Sequence, residues 1–395
     1  MKTLMILGGG IYQVPLIERA RAMGIRTVAV SIPGPYPGLD LADEALLLDT
    51  TDSEAVLESA RRLKIDGICT AGTDVAVRTL GHVNDALGLK GISEEAAVLA
   101  TDKLRMKECF EANGVRTARY RRVTFTQDPV KETAELTYPL IVKIVDSSGS
   151  RGITRVDRPE ELTAAVEEAR RCTHKDYYLI EEFIEGREFG AQAFVLDGQV
   201  KFILPHGDYV FHGATGVPAG HFAPLSMGEA ELRDCLETAE RAIRAMKLDN
   251  CAVNCDFIER GGKTYVLELG GRSGATCLSE LVSIYYGFDY YEKMIETALG
   301  GSPDLPLTGA QPNASRLLMS DTDGIVETVD LGGAAEDPDV VEIRTDVRPG
   351  DRVRRFHVGP DRIGHVVTKG ATLGEAEEAL DRAMARISIR VRAEA

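Results

Sequence analysis

The chain has 395 residues, 44% of them hydrophobic, which predicts two or three domains with sizeable cores. A formal net charge of −16 argues against nucleic acid as the main partner, and any anionic substrate must meet a local basic pocket. The sequence has no apolar run of the roughly 18 residues that span a membrane, no signal-peptide pattern and seven scattered cysteines without a CxxC pair. We therefore expect a cytoplasmic protein that binds neither nucleic acid nor membrane.

The first 95 residues alternate short apolar strands with helical segments. Strands are predicted at 3–7, 26–31, 44–50 and 66–72, and helices at 12–23 and 53–63. This order predicts an open parallel α/β domain over residues 1–95. Three glycines follow the first strand, but Gln13 stands where the third glycine of a dinucleotide fingerprint would fall. A tight turn is therefore the simpler interpretation, and a phosphate or substrate group lying over that turn stays open.

The pattern changes after about residue 96. The elements predicted from there to residue 300 are one helix over 93–115, a strand at 138–145, a helix at 159–171, strands at 177–196 and 198–204, a helix at 228–246, and a hairpin of 251–260 with 264–270. Residues 300–314 are rich in glycine and proline and predict a connection. Short strands and a final helix beginning near Leu373 then predict a small α+β module over residues 310–395.

One lysine precedes a loop that is almost without bulk, in the segment VKIVDSSGSRGI of residues 142–153. The order differs from a Walker A loop, in which the lysine follows the glycines. Backbone N–H groups in such a loop can surround phosphate oxygens, and Lys143 on the strand can supply a positive charge. A flexible surface turn is the alternative interpretation. The loop residues proposed to contact a nucleotide are Ser147, Ser148, Gly149, Ser150 and Gly152.

The segment LIEEFIEGREFG, residues 179–190, continues a strand into an extended link. Backbone groups of such an edge can read the polar atoms of adenine, and Phe183 and Ile184 would supply apolar contact. Glu188, four residues after Ile184, is placed to accept hydrogen bonds from ribose hydroxyls. By itself the segment would be an acidic hairpin.

Two acidic residues lie on the arms of the hairpin that turns at Gly261-Gly262. Antiparallel pairing brings Asp256 and Glu268 opposite or diagonal to each other, among apolar neighbours. Two buried carboxylates repel, and a divalent cation with oxygen ligands, such as Mg²⁺, relieves that repulsion. Two solvent-facing carboxylates are the alternative. Arg272 follows closely and would place a fixed cation beside the metal.

Lys103 in TDKLRMK, Lys143 with its loop, the EEFIEG link, and Asp256 with Glu268 and Arg272 occur in this order along the chain. Together they resemble the ATP-grasp superfamily, in its carboxylate–amine ligase type with a biotin-carboxylase-like and purine-biosynthesis-like architecture. The resemblance implies an N-terminal α/β domain over 1–95, a two-part α+β ATP-grasp core over 96–300 with a mobile lid at about 120–185, and a C-terminal α+β module over 310–395.

The resemblance also implies cofactors and residue roles. ATP and Mg²⁺ (or Mn²⁺) would be bound, and the positions that match the family's motifs would act as follows: Lys103 and Lys143 on the phosphates, Glu181, Glu182 and Ile184 along adenine, Glu188 on ribose, Asp256 and Glu268 on the metal, and Arg272 on the transferred phosphoryl group or acyl phosphate. Many members carry asparagine where this chain has Gly270, which removes one protein ligand of a second Mg²⁺.

The implied activity is ATP-dependent ligation of a small-molecule carboxylate to an amine through an acyl phosphate, with release of ADP and phosphate, in a homodimer. A carboxylase acting through carboxyphosphate and a non-catalytic ATP-binding sensor are the alternatives. The loop predicted over residues 206–224 would line the substrate pocket with His212 or His221, opposite a wall of small residues at 270–276. That wall would contribute Arg272, Ser273 and Gly274.

Overall fold

The computed structural model describes residues 1–146, 152–213 and 216–393. The N-terminal elements are β1 (Thr3–Leu7), α1 (Val14–Ala22), β2 (Arg26–Ser31), α2 (Pro37–Leu41), β3 (Glu44–Leu47), α3 (Ser53–Leu63), β4 (Gly67–Cys69) and α4 (Val77–Leu87). The strands form a parallel sheet in the order β3-β2-β1-β4. Successive residues of β1 pack into two different cores, so the sheet is covered on both faces, as parallel sheets usually are.

Two helices and a small antiparallel sheet follow. The elements are α5 (Glu94–Thr101), α6 (Lys103–Ala112), β5 (Tyr120–Thr124), α7 (Pro129–Glu132), β6 (Leu140–Lys143), β7 (Ile153–Val156), α8 (Leu162–Cys172) and β8 (Tyr177–Glu182). The sheet has the order β5-β8-β6-β7 and shares a separate apolar core with α8. This body occupies the stretch for which a lid was predicted.

The remaining chain builds a large sheet and its covering helices. The elements are β9 (Arg187–Leu196), β10 (Gln199–His212), β11 (Gly216–Ala223), α9 (Glu229–Ala245), β12 (Cys251–Arg260), β13 (Lys263–Gly270), α10 (Leu278–Tyr286), α11 (Tyr290–Ala298), β14 (Asn313–Leu318), β15 (Gly324–Asp330), β16 (Val340–Thr345), β17 (Arg352–Val353), β18 (Gly364–Lys369), α12 (Leu373–Arg386) and β19 (Ser388–Ala393). Within the described ranges, no helix is both long and apolar enough to cross a lipid bilayer.

The large sheet runs without interruption from the centre of the chain into its C-terminal part. Its eight strands lie in the order β13-β12-β9-β10-β11-β14-β18-β16, so three strands after residue 310 extend the central sheet. Strands β15, β17 and β19 form a further small sheet, and α12 packs against β14 and β18. The predicted fold class, a parallel α/β domain followed by α+β parts, is confirmed.

Two predicted segments are corrected by the structure. The helix predicted over 93–115 is two helices, because Asp102 adopts an extended backbone and its side chain caps α6 by accepting from the N–H groups of Leu104 and Arg105. The long loop predicted over 206–224 is the β10–β11 hairpin, whose strands pair from Gly207 with Phe222 to His212 with Gly216.

Candidate active site

The two predicted metal carboxylates lie directly opposite each other. The turn residues Gly261 and Gly262 have φ of +60° and +75°, which suits a two-residue hairpin, and the resulting register pairs Asp256 with Glu268. Asp256 is exposed and Glu268 half-buried, yet desolvation by the surrounding protein and the neighbouring Glu268 raise the pKa of Asp256 to about 6. Lys103 Nζ lies 2.5 Å from Glu268 Oε2, so an ammonium group already sits where positive charge is needed.

Oxygen donors and repulsion together fit a hard divalent cation at this hairpin. The raised pKa of Asp256 reflects desolvation of its carboxylate and repulsion by Glu268, and a bound cation would relieve that repulsion. Carboxylate oxygens are the ligands that Mg²⁺ takes in proteins, and phosphates or water complete its shell. The pair Asp256 and Glu268 is therefore able to hold such an ion.

Lys143 is part of a buried group of three charges. Its Nζ lies 2.6 Å from Glu181 Oε1, and Lys107 Nζ lies 3.0 Å from the other oxygen, Oε2. Burial alone would raise the pKa of Glu181, but the two ammonium groups outweigh it and lower that pKa. Burial and the like charge of Lys143 lower the pKa of Lys107 to about 8. The three side chains carry one net positive charge, which suits an incoming phosphate oxyanion.

The predicted adenine segment divides between two environments. The side chain of Ile184 packs with Ala118 and Ile258, and Tyr265 and Leu267 border this apolar cluster. The carboxylate of Glu181, however, faces the two lysines, so any contact of this residue with adenine would be made by its backbone.

The other three residues of that segment lie nearer the surface. Glu182 pairs with Arg119 at 2.9 Å, and the ring of Phe183 lies against the guanidinium of Arg155. Glu188 is exposed on β9 opposite Ile258, beside the apolar cluster that contains Ile184. Its carboxylate is therefore free to meet a polar group at the edge of that cluster.

Arg272 makes a two-pronged contact with the N-terminal domain. Its Nε and Nη2 donate to the two carboxylate oxygens of Asp74 at 2.8 and 2.7 Å. Burial opposes the charge, but Asp74 raises the pKa of Arg272 above its usual value. A Cβ on Gly270 would lie 3.0 Å from Asp74 Oδ1, so the missing asparagine has a structural reason: a larger residue would crowd this pair.

The predicted substrate residues lie in different places. Ser273 is fully buried, and its hydroxyl has no hydrogen-bond partner among the described residues. Gly274 donates its N–H to Gln192 Oε1 at 2.9 Å. His221 is buried on β11, whereas His212 is exposed at the end of β10, so the structure does not bring the two histidines together.

A cleft of about 280 Å³ joins several of these groups. It is lined by Asp74 and Val75 from the segment after β4, Lys103 from α6, Asp146 from the segment after β6 and Glu268 from β13. Of the predicted loop, Ser147, Ser148, Gly149 and Ser150 lie outside the described residues. Gly152 is described, and its φ of +68° is left-handed backbone that favours glycine.

Several residues of the site were missed from the sequence, although two left a signal. Lys107 stands four residues after Lys103 and therefore on the same side of α6. Asp74 follows β4 at the carboxyl end of a parallel sheet, where ligands usually bind. Gln192 and Asn254 gave no signal in the sequence. Their side chains are hydrogen-bonded to each other, and that contact depends on the pairing of β9 with β12.

The chain matches two families of ligases over most of its length. Residues 110–297 match the D-ala D-ala ligase C-terminus, and residues 316–392 match the L-amino acid ligase C-terminal domain 2. The D-alanine–D-alanine ligase of Geobacter sulfurreducens is 34% identical over 216 residues, which are 52% of this chain and 66% of that protein.

Solved structures extend the similarity to the whole chain. The phosphoribosylglycinamide synthetase from Anaerococcus prevotii is 35% identical, and the alignment covers 99% of this chain and 100% of that one with a TM-score of 0.86. The L-amino acid ligase from Bacillus licheniformis is 19% identical, with 99% of both chains covered and a TM-score of 0.80, a likeness of fold alone. Together with the ordered lysines and opposed carboxylates, these similarities show that the chain belongs to the ATP-grasp superfamily and is an ATP-dependent ligase of its carboxylate–amine type.

Proposed function

We propose that the protein converts the carboxylate of a small amino acid into an acyl phosphate and then joins it to an amine, with release of ADP and phosphate. The observation that carries this proposal is the contact of Lys103 with Glu268 in the wall of the cleft, with Asp256 paired opposite Glu268 on the neighbouring strand. Phosphoryl transfer needs positioning and neutralisation of charge more than covalent help, and this arrangement supplies both.

The roles of the side chains follow from their present partners. Lys103 and Lys143 are each paired with a carboxylate, and phosphate oxygens of ATP would take the place of those carboxylates. Asp256 and Glu268 would hold Mg²⁺ or Mn²⁺, which supplies further neutralisation of the phosphates. Arg272 is held by Asp74 in a fixed orientation and would face the transferred phosphoryl group.

A second candidate is ligation of a phosphoribosylamine, because the relative of 35% identity is a phosphoribosylglycinamide synthetase. The match of residues 316–392 to an L-amino acid ligase domain favours an amino acid instead.

The experiment is a screen of amino acids, singly and in pairs, for release of ADP. We expect ADP only when a carboxylate and an amine are both present, and we expect hydroxylamine to trap a hydroxamate when the amine is omitted. Lys143→Ala should abolish ADP release while the thermal unfolding transition persists. Dependence on bicarbonate would favour a carboxylase, and tight ATP binding without ADP in any mixture would favour a sensor.

We also propose that the protein is a cytoplasmic homodimer. Light scattering would test the dimer.

A further inference from the structure

Two histidines and an aspartate form a group at the junction of β10 and β11. His206 Nδ1 and His221 Nδ1 lie 3.1 and 2.6 Å from the same oxygen, Oδ1 of Asp208. Both imidazoles are almost fully buried, with side chains 4 and 5% exposed, whereas 27% of the Asp208 side chain is exposed. No partner of the second carboxylate oxygen, Oδ2, occurs in the described part of the chain.

The group lies on the same face of the large sheet as the metal carboxylates. Asp256 pairs with Gly190, and Gly190 pairs with His206, so the three residues lie side by side across β12, β9 and β10. Residues in register share a face, and Asp208 is two residues after His206 and opposite His221. Two strand spacings, roughly 10 Å, separate β12 from β10.

Gly190 makes room for the imidazole of His206. A Cβ at this position would lie 2.3 Å from Cε1 of His206, so the imidazole covers the glycine backbone. The His206 ring therefore lies over β9 on the side of Asp256, and Asp208, two residues further along β10, lies diagonal to Asp256.

Hydrogen-bond directions determine where a ring proton of His206 lies. The Gly274 N–H can only donate, so Gln192 Oε1 accepts and its Nε2 donates, to Asn254 Oδ1 at 2.7 Å. The Nε2 of His206 lies 3.5 Å from the Nε2 of Gln192, which can only donate. The Nε2 of His206 is therefore the acceptor in this contact, and a ring proton lies on Nδ1. In this arrangement the Nδ1–H of His206 donates to Asp208.

The remaining two members follow from their surroundings. Burial lowers the pKa of His221 although Asp208 opposes it, so this imidazole is neutral near pH 7. Burial would raise the pKa of Asp208, but the two imidazoles outweigh it and hold that pKa well below its usual range. The charged and titratable groups facing Asp208 are these two histidines, with Asp256 farther along the sheet. The carboxylate of Asp208 is therefore ionised near pH 7, with one oxygen still open.

We propose that Asp208, held by His206 and His221, binds the ammonium group of the amino acid whose carboxylate is phosphorylated; this inference rests on the proposed function. The attacking amine must lose its proton, and a carboxylate would keep it as an ammonium. Asp208 therefore suits the amino group that does not react. The ligand class is then an α- or β-amino acid, with its carboxylate toward Asp256 and its ammonium toward β10.

A divalent metal is the other cation that two histidines and an aspartate could hold. The observed geometry favours the ammonium, because both Nδ1 atoms act as donors to Asp208 and do not present lone pairs to a common centre. Metal analysis of the purified protein, followed by titration with Zn²⁺, separates the two. One equivalent of zinc retained by the wild type and lost in Asp208→Asn would overturn the proposal.

The decisive experiment measures hydroxamate formation from ATP, hydroxylamine and a single carboxylic acid, so the natural amine need not be known. The best amino acid is compared with its deamino analogue of the same side chain. Loss of a hydrogen bond to a charged group predicts that Asp208→Asn raises the KM of the amino acid about 10- to 100-fold. The analogue, which lacks the ammonium, should change little, so the preference for the amino acid collapses. Asp208→Glu keeps the charge and should restore part of that preference.

The controls separate this inference from the proposed function. Asp304→Asn makes the same chemical change at an exposed position in the connection after α11 and should leave both KM values unchanged. ADP binding, measured by calorimetry, should persist in Asp208→Asn and shows that the variant folds. If wild-type enzyme forms no hydroxamate from any carboxylic acid, the proposed function fails. If it forms hydroxamates equally well from the amino acid and its analogue, or if Asp208→Asn keeps the preference, only the role of Asp208 fails.

Discussion

Replacing Glu181 by glutamine tests the buried group of three charges that holds Lys143. At an effective dielectric constant of about 20, unit charges 2.6–3.0 Å apart attract by about 6 kcal/mol. Desolvation offsets much of this, and removing one partner of a buried ion pair costs about 3–5 kcal/mol. Glu181→Gln leaves two buried ammonium groups facing an amide, so we expect a loss of stability in that range.

Calorimetry at several pH values measures the loss and identifies its cause. If the body of β5 to β8 and α8 unfolds as one unit, a change of this size lowers its unfolding midpoint by roughly 12–40 °C near pH 7. In the wild type the pKa of Lys107 is already lowered to about 8, and without Glu181 it falls further. Between that lowered pKa and the usual lysine pKa, the unfolded chain binds more protons than the folded chain. In this pH range the free energy of unfolding of the variant therefore rises with pH. The deficit of the variant should therefore shrink by pH 9.

Glu182→Gln is the matched control, because it makes the same change one residue later at a partly exposed ion pair with Arg119. Such a pair contributes about 1 kcal/mol or less, so this variant should unfold almost like the wild type. A Glu181→Gln variant with wild-type stability at pH 7, or with a deficit independent of pH, would refute the electrostatic account. Weak ATP binding without any loss of stability would instead indicate that the Glu181 side chain contacts the nucleotide.

Three further changes probe the other contacts of the site. Gly270→Ala places a Cβ 3.0 Å from Asp74 Oδ1. This variant should lower kcat at least about tenfold with little change in ATP affinity. An unchanged kcat would mean that the Asp74–Arg272 pair is dispensable. Because the pKa of Asp256 is about 6, protons compete with the metal below that pH, and Mn²⁺ affinity measured by electron paramagnetic resonance should fall between pH 7 and 5. Affinity that does not change with pH would separate Asp256 from the metal. Gly190→Ala should displace the imidazole of His206, and the nuclear magnetic resonance chemical shifts of that ring would report the displacement. Unchanged shifts would contradict the close packing at this glycine.

Local sequence signals predicted the hairpin that carries the acidic pair. Two glycines between two apolar runs specify a two-residue turn, and that turn determines which residues of the arms face each other. Asp256 and Glu268 lie at equal distances from the turn once one bulge is counted, and the structure pairs them. The order of Lys103, Lys143, the EEFIEG segment and the two acids along the chain could likewise be recognised from the sequence, because each motif lies within one short segment.

Contacts between distant segments could not be predicted in the same way. The carboxylate of Glu181 sits in a segment that looks like an exposed acidic link, and only the approach of α6 and β6 turns it into a partner of Lys107 and Lys143. Asp74 and Arg272 are 198 residues apart and meet because two domains pack together. The extension of the central sheet by β14 depends on its pairing with β11, which no local pattern encodes.

The acids paired with Lys103, Lys143 and Arg272 explain how a chain of net charge −16 can receive a triphosphate. Lys103 lies against Glu268, Lys143 against Glu181, and Arg272 against Asp74. Each buried cation is thus kept charged and oriented by an acid, so a phosphate need only replace or share that acid and does not have to order a free side chain. Glu268 released from Lys103 becomes available to a metal at the same moment. Binding of nucleotide and of metal should therefore be coupled, and the coupling should weaken when Lys103 is replaced by methionine, which has similar length and no charge.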